Sequence, residues 1–543
     1  MSLNARFGRL RGWRTAGAIA AVAGLFLVTT AADAAPQASA GSSAQWPVAG
    51  QNISDTHYNA AEDQISAANV GKLAPKWVLT TDGDVTATPA VDAGTLYVPD
   101  MGGELWAVKA ATGAVVWSHT VASYTGIAGD VSRTTPAVDG NELITGDGWV
   151  QNSVFGGAHV FAVNRITGKL LWDTPVDSFS GSIITGSPVV YNGVAYVGIS
   201  SKEESMSAEP GYQCCVFRGA VVALNDATGK ILWKMYTVPS NNNGSDVNQP
   251  GYYSGGPVWG SSPAVNPQLG LLYVGTGNDY SAPAGVCQSP GQTGCTEPDP
   301  ADYFDSILAL KLSTGAIAWS DRAIDADVFS GGYPDGPDYD FGTGPNLFTT
   351  ANPATGAPEQ LVGIGAKSGV YWAVNAATGK VVWNTQVGPG GLDGGIEWGS
   401  ATDGQRIYVA ESGSDGIAYT LGGSGPYAGQ TVTGGSWAAL NPATGKVLWQ
   451  TPDPQGATDP GFMTTANGVV YAGSDADTGN DMYALSAATG KILWQFNSGG
   501  PVESGAAIVH GSVYWGSGYP PFVCSSGTCG ANDKLYAFGL PGS

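Results

Sequence analysis

The sequence predicts an all-β protein, an eight-bladed β-propeller whose ring is closed by pairing of N- and C-terminal strands. Three observations carry that expectation. A motif recurs seven times with identical internal spacing, a strand-forming element precedes the copies, and two incomplete pieces near opposite ends of the chain complement each other.

The motif is Ala, then Thr-Gly five and six residues on, then Trp four after the Gly. Its copies begin at Ala107, Ala162, Ala223, Ala309, Ala373, Ala439 and Ala484, and end at Trp117, Trp172, Trp233, Trp319, Trp383, Trp449 and Trp494. Apolar residues flank each Thr-Gly, which is the pattern of a hairpin with Gly supplying the turn. Upstream elements such as Thr88-Pro89-Ala90-Val91, Thr135-Pro136-Ala137-Val138, Ser187-Pro188-Val189-Val190 and Ser262-Pro263-Ala264-Val265 lead into strands such as Thr95-Leu96-Tyr97-Val98 and Leu271-Leu272-Tyr273-Val274. About four strands per unit make one propeller blade. The eighth unit is split. Lys534–Leu540 begins the hairpin without its Trp, whereas Leu73-Ala-Pro-Lys-Trp77 carries a Trp with no Ala and Thr-Gly before it. Pairing the two completes a blade and leaves no open edge. The repeated tryptophans are expected to pack between blades.

Composition agrees with many short strands and tight turns. The 543 residues include 81 Gly and 17 Trp, and only 12% are charged. Glycine opens positive φ, and aromatic residues fit pleated surfaces. Arg6, Arg9, Arg11 and Arg14, the apolar run Ala16–Val28 and the small-x-small site Ala32-Asp33-Ala34 form the pattern of an export signal. The expected organisation is a signal peptide over residues 1–35 and one propeller domain over 36–543. Without an adjacent arginine pair, the general secretory route is expected. Removing the signal takes the formal charge from −22 to about −25, which opposes binding to nucleic-acid phosphate. The six cysteines fall in three close pairs, Cys214 with Cys215, Cys287 with Cys295, and Cys524 with Cys529. Even, local pairing fits disulfides in an oxidising compartment. No Cys-x-x-Cys-His and no zinc-type spacing occurs. No phosphate loop or dinucleotide fingerprint stands out, and His57, His119, His159 and His510 have no evident partner serine motif.

Units such as Ala223-Leu-Asn-Asp-Ala-Thr-Gly-Lys-Ile-Leu-Trp233 and Ala373-Val-Asn-Ala-Ala-Thr-Gly-Lys-Val-Val-Trp383 resemble the tryptophan-docking repeat of pyrroloquinoline-quinone (PQQ) dehydrogenases. The opening, with Trp46, Gly50 and Gln64–Leu73 before Trp77, is similar to that group as well. The resemblance covers almost all of the chain beyond the signal. It implies PQQ held flat on the propeller axis with a calcium ion on its quinone, bound by hard oxygen ligands. Either Glu203 or Glu204 stands where the family has its metal-binding Glu, with Glu203 fitting slightly better. Asn278, in Tyr273-Val-Gly-Thr-Gly-Asn278, matches the Asn ligand. Asp340, in Pro337-Asp-Tyr-Asp340-Phe-Gly342, matches the Asp that is both ligand and base.

The same resemblance implies further contacts. Arg133 matches a partner for a PQQ carboxylate, because Arg favours planar bidentate contacts. Thr185 matches a hydroxyl contact, and Lys367 the basic position near the quinone oxygens, stabilising charge on the reduced cofactor. Trp259 resembles the aromatic floor, and Trp398 lines the site. Methanol-dehydrogenase-like enzymes carry a vicinal disulfide above the cofactor. Theirs falls one blade earlier than Cys214-Cys215, and the Glu-Glu…Tyr-x-Cys-Cys-x-Phe-Arg-Gly arrangement here looks like the polyvinyl-alcohol dehydrogenase branch. The implied activity is oxidation of alcohol groups, with secondary hydroxyls of a polymer as the narrower reading. A hydride would pass to PQQ while Asp340 takes the hydroxyl proton. With no haem motif, the electron acceptor is expected to be an external cytochrome c or quinone. The alternative is a non-catalytic propeller that serves as an interaction scaffold, because fold alone does not imply catalysis.

Overall fold

Each copy of the repeat folds as the outer hairpin of a four-stranded antiparallel sheet. The computed structural model describes residues 45–148, 156–260, 262–476, 478–519 and 530–542. The expected signal peptide (residues 1–35) and the Cys524–Cys529 pair lie outside them. The first blade contains Ala90–Asp92, Thr95–Pro99, Glu104–Lys109 and Val115–Thr120, hydrogen-bonded in chain order. Eight such blades are built from the described residues, and two of them carry a fifth short strand, Tyr58–Asn59 in parallel and Ser182–Ile183 antiparallel. The last consists of Ala507–Val509, Ser512–Ser517 and Lys534–Gly539, and its outer strand is Ala74–Thr80 from the other end of the chain. The ring therefore closes as expected, with Trp77 opposite Ala537. In the other seven blades the repeat's Trp likewise stands opposite its own Ala, as in Ala223–Trp233 and Ala373–Trp383.

The tryptophan works between blades as well as within its own. Trp77, Trp117, Trp172, Trp233, Trp319, Trp383 and Trp449 donate their indole N–H to a backbone carbonyl in the next hairpin, three residues after that repeat's Ala, at 2.6–3.1 Å. Trp494 reaches the carbonyl of Leu73 at 3.1 Å. The ring of each of the first seven lies on the turn glycine of the following blade. At Gly113 a side-chain carbon would fall 2.8 Å from Trp77, and Gly168, Gly229, Gly315, Gly379, Gly445 and Gly490 are covered in the same way. These glycines have φ near +70°, so backbone and packing both demand glycine.

A strap over residues 46–59 crosses the inner rim of the ring. Its main-chain carbonyls accept N–H bonds from the inner strands of six blades, through Val91, Val138, Val265, Leu347, Thr402 and Thr465. Asn59 Nδ2 adds a bond to the carbonyl of Ile508 in the eighth blade, at 2.8 Å. Inner-strand groups that face the axis have no neighbouring strand, and the strap satisfies them. Among the described residues, no helix is long and apolar enough to cross a membrane.

Gly379→Ala should lower stability by about 3 kcal/mol, combining left-handed strain with overpacking against Trp319. Gly404 also has positive φ, +78°, but nothing lies near its missing side chain. Gly404→Ala should therefore cost only about 1 kcal/mol. Urea unfolding midpoints of the two variants check the difference.

Candidate active site

Adjacent antiparallel strands place the start of a blade's first strand and the end of its second on the same ring face. Arg133, Thr185, Trp259, Asp340 and Trp398 each precede the first strand of a blade. Glu204, Asn278 and Lys367 each follow a second strand. Eight positions between Arg133 and Trp398 thus come from five neighbouring blades onto one face.

They meet there. Asp340 is buried, and its carboxylate accepts the backbone N–H of Asn278 at 2.6 Å through Oδ1 and the indole N–H of Trp259 at 2.7 Å through Oδ2. Gly277 allows this approach, since a side-chain carbon there would lie 2.9 Å from the Asp340 carboxylate. Lys367 Nζ lies 3.0 Å from Asp338, 3.7 Å from Asp340 and 5.2 Å from the centre of the Trp259 ring. Burial works against the charge on Lys367, but Asp338, Asp340, Glu204 and Glu397 overcome it and hold its pKa well above the usual value. Burial also pushes Glu204 up to about 7 against the pull of Lys367, with Asp340 and Asp327 adding to the rise. Glu397 stands at about 7 for the same first reason.

The side-chain amide of Asn278 donates to the carbonyls of Asp279 and Phe329 at 2.9 and 2.6 Å, and its own oxygen is buried with no donor among the described residues. An amide oxygen in that condition, on a residue whose backbone N–H meets the Asp340 carboxylate, is a donor of the kind a hard cation takes. Among the described residues, no group of three His, Cys, Asp or Glu side chains forms a ready metal cage. A cation here would draw on Glu204 and Asp340 together with the Asn278 amide.

The two glutamates separate cleanly. Glu203 is fully buried. Its carboxylate accepts the Tyr212 hydroxyl at 2.7 Å, the Val216 and Phe217 N–H groups at 2.8 and 2.7 Å, and the Ser254 hydroxyl at 3.1 Å. The Glu203 oxygens are thus occupied by protein donors, whereas Glu204 interacts electrostatically with Lys367 and Asp340. Cys214 and Cys215 are bonded to each other, as are Cys287 and Cys295. Cys215 packs in the apolar cluster that holds Phe217 and Tyr280.

Trp259 and Trp398 meet edge to face at 5.3 Å. The Arg133 guanidinium lies 4.4 Å from the centre of the Trp398 ring and donates to the Tyr519 hydroxyl at 3.3 Å. Trp398 donates its indole N–H to Glu503 at 2.9 Å. Thr185 donates its hydroxyl to the Trp259 carbonyl at 2.9 Å, which fixes that backbone. The sequence reading missed Glu397, Glu503, Tyr519 and the Asp338 ion pair. Frame counting could have found two of them. Glu503 precedes a first strand as Trp398 does, and Tyr519 follows a second strand as Lys367 does.

A family model described as the glucose/ethanol/alcohol dehydrogenase β-propeller domain matches residues 46–389. The chain belongs to this family. A second model, described as outer membrane protein assembly factor BamB, matches the repeats at 366–494 and 433–523. The polyvinylalcohol dehydrogenase of a Pseudomonas species is 30% identical over 443 residues, covering 79% of this chain and 64% of that protein. That of Sphingopyxis sp. (strain 113P3) is 31% identical over 432 residues, covering 76% and 61%. The chain thus spans less than two thirds of either relative. The solved structure of quinohemoprotein alcohol dehydrogenase ADHIIG from Pseudomonas putida HK5 superposes with a TM-score of 0.69 at 20% identity, over 92% of this chain and 81% of that one. That match establishes the shared propeller.

Replacing Lys367 with Met should cost about 3–5 kcal/mol at pH 8, because it strands buried carboxylates. The folded pKa of Lys367 is raised, so its charge is present throughout the acidic and neutral range. Its partners Glu204 and Glu397 protonate as pH falls through about 7. The penalty should therefore shrink by pH 5, and urea titrations of both proteins at the two pH values measure this.

Proposed function

We propose that this chain is an exported quinoprotein dehydrogenase that oxidises alcohol groups with PQQ and calcium. The observation that carries the reading is the convergence of Asp340, the unpartnered Asn278 oxygen and Lys367 beside Trp259. Bound PQQ supplies the two-electron acceptor, and calcium the Lewis acid that polarises it. Glu204, Asn278 and Asp340 would supply its oxygen ligands. Trp259 and Trp398 would form the aromatic wall and Arg133 would pair with a cofactor carboxylate, while Thr185 steadies the Trp259 backbone. Asp340, oriented by Trp259 and Asn278, takes the hydroxyl proton as the carbinol carbon gives up its hydride. Lys367 places positive charge where negative charge accumulates during transfer. The two bonded cysteine pairs support folding in an oxidising compartment. The names of the 30–31% identical relatives support secondary hydroxyls of polyvinyl alcohol or a similar polymer as substrate. Electrons then pass to an external acceptor, a cytochrome c or a quinone. The alternative, a scaffold without catalysis, draws on the repeats shared with the assembly-factor model. It gives no use for a buried lysine among four carboxylates.

Purified protein reconstituted with PQQ and calcium should reduce a redox dye when given polyvinyl alcohol or small secondary alcohols. Chelator should strip this activity and calcium restore it. Glu204→Gln should weaken calcium-dependent PQQ binding, measured by quenching of tryptophan fluorescence. Equal PQQ affinity with and without calcium would remove the metal from the proposal, and absence of PQQ binding would leave the scaffold reading.

Asp340→Asn keeps an oxygen toward the cation but takes no proton. Turnover of the PQQ-loaded variant should fall by about a thousandfold, with a much smaller change in PQQ affinity. Near-wild-type turnover in the loaded variant would move the base elsewhere, to Asp338 first.

A further inference from the structure

Four donors converge on the Glu203 carboxylate, and their places in the chain are informative. Tyr212 stands just before Cys214-Cys215, and Val216 and Phe217 stand just after. The carboxylate thus grips both ends of the disulfide segment. The Ser254 hydroxyl lies 3.1 Å from that carboxylate and 2.9 Å from the Phe217 carbonyl and shares its one proton between them, tying the same segment to the loop before the next blade. Glu203 opens the short helix Glu203–Met206, in which Glu204 is the second residue. Met206 packs against the cluster that contains Cys215, Phe217 and Tyr280, and Phe217 stacks on Tyr280 at 6.2 Å. The Gly331 N–H donates to the Glu204 carbonyl at 3.0 Å, anchoring the far side of the helix.

We infer that Glu203 is a positioning residue: it locks the Cys214–Cys215 segment to the helix that carries Glu204, so that the two move as one unit. Its carboxylate touches neither Asp340 nor Lys367. It satisfies the buried Phe217 N–H and the half-buried Val216 N–H and Tyr212 hydroxyl. A segment held at both ends to one carboxylate opens only when that clamp opens. A four-residue helix cannot fix the direction of Glu204 by its own hydrogen bonds. The clamp and the packing of Met206 supply what the helix lacks. The inference rests on the proposed role of Glu204 for its purpose, but the clamp itself requires neither metal nor quinone.

The disulfides report the clamp directly. Wild-type and variant proteins are incubated with a phosphine reductant in the folded state, and the freed thiols are alkylated and mapped by mass spectrometry. Glu203→Leu strands the Val216 and Phe217 N–H groups, and Cys214–Cys215 should open faster by about tenfold or more. Cys287–Cys295 in the same sample should open at its wild-type rate. Glu203→Gln keeps a carbonyl acceptor for the two N–H groups and should restore most of the protection. Tyr212→Phe removes one donor, should give a smaller acceleration, and carries the test if Glu203→Leu does not fold. Terbium luminescence sensitised by tryptophan reads the cation site of the apoprotein, and affinity should fall in the variants in the same order. An unchanged Cys214–Cys215 rate, or equal acceleration of both disulfides, overturns the clamp. A faster Cys214–Cys215 rate with unchanged terbium affinity overturns the link to Glu204. The thiol readout needs no turnover, so failure of the catalytic reading leaves it intact.

Discussion

One indole ring per blade, laid on the turn of the next, is the contact on which the ring depends. A single four-stranded sheet has two faces to cover and two edges to protect, and cannot do so alone. The repeat answers with a tryptophan that pairs across its own hairpin and docks on its neighbour. The neighbour answers with a glycine that leaves room for the ring and bends the turn. Because each contact links consecutive blades, the set becomes circular only when the last blade borrows its tryptophan from residue 77. The strap over residues 46–59 then ties the inner strands together, so both rims of the ring are held by the N-terminal part of the chain.

The closed ring brings a cluster of titratable groups together at one face. Asp338, Asp340, Glu204 and Glu397 face one lysine, and burial raises the pKa of Glu204 and Glu397 toward neutrality. A flexible loop cluster would spread such groups into solvent. Here Gly277 brings the Asn278 backbone against Asp340, and Trp259 holds the other carboxylate oxygen. Four carboxylates around one lysine, two of them buried, beside an unpartnered amide oxygen give the proposed cation its physical basis.

The paired glutamates show how neighbours in sequence take different work. Glu203 and Glu204 have the same chemistry, but a helix turns successive side chains by about 100°. One carboxylate therefore meets the backbone of the disulfide segment, and the other meets the charged centre. The same division recurs at Asp338 and Asp340, where the first makes the closer ion pair with Lys367 and the second orients against Trp259.

The sequence by itself determined the blade count, the hairpin register, the closure through Trp77 and the ring face from which site residues come. These follow from short-range spacing: a turn glycine, a tryptophan four residues later, and antiparallel strands that return to the same rim. It also pointed to Asn278, Asp340 and Lys367 through a family likeness at fixed frame positions. Tertiary structure alone decided which glutamate faces the centre. It also revealed that the opening residues form a strap, and that Glu397, Glu503 and Tyr519 join the site. Those outcomes depend on donors from other blades, such as Ser254 for Glu203 and Trp398 for Glu503. No local spacing encodes them, because the distance between blades is set by the closed ring.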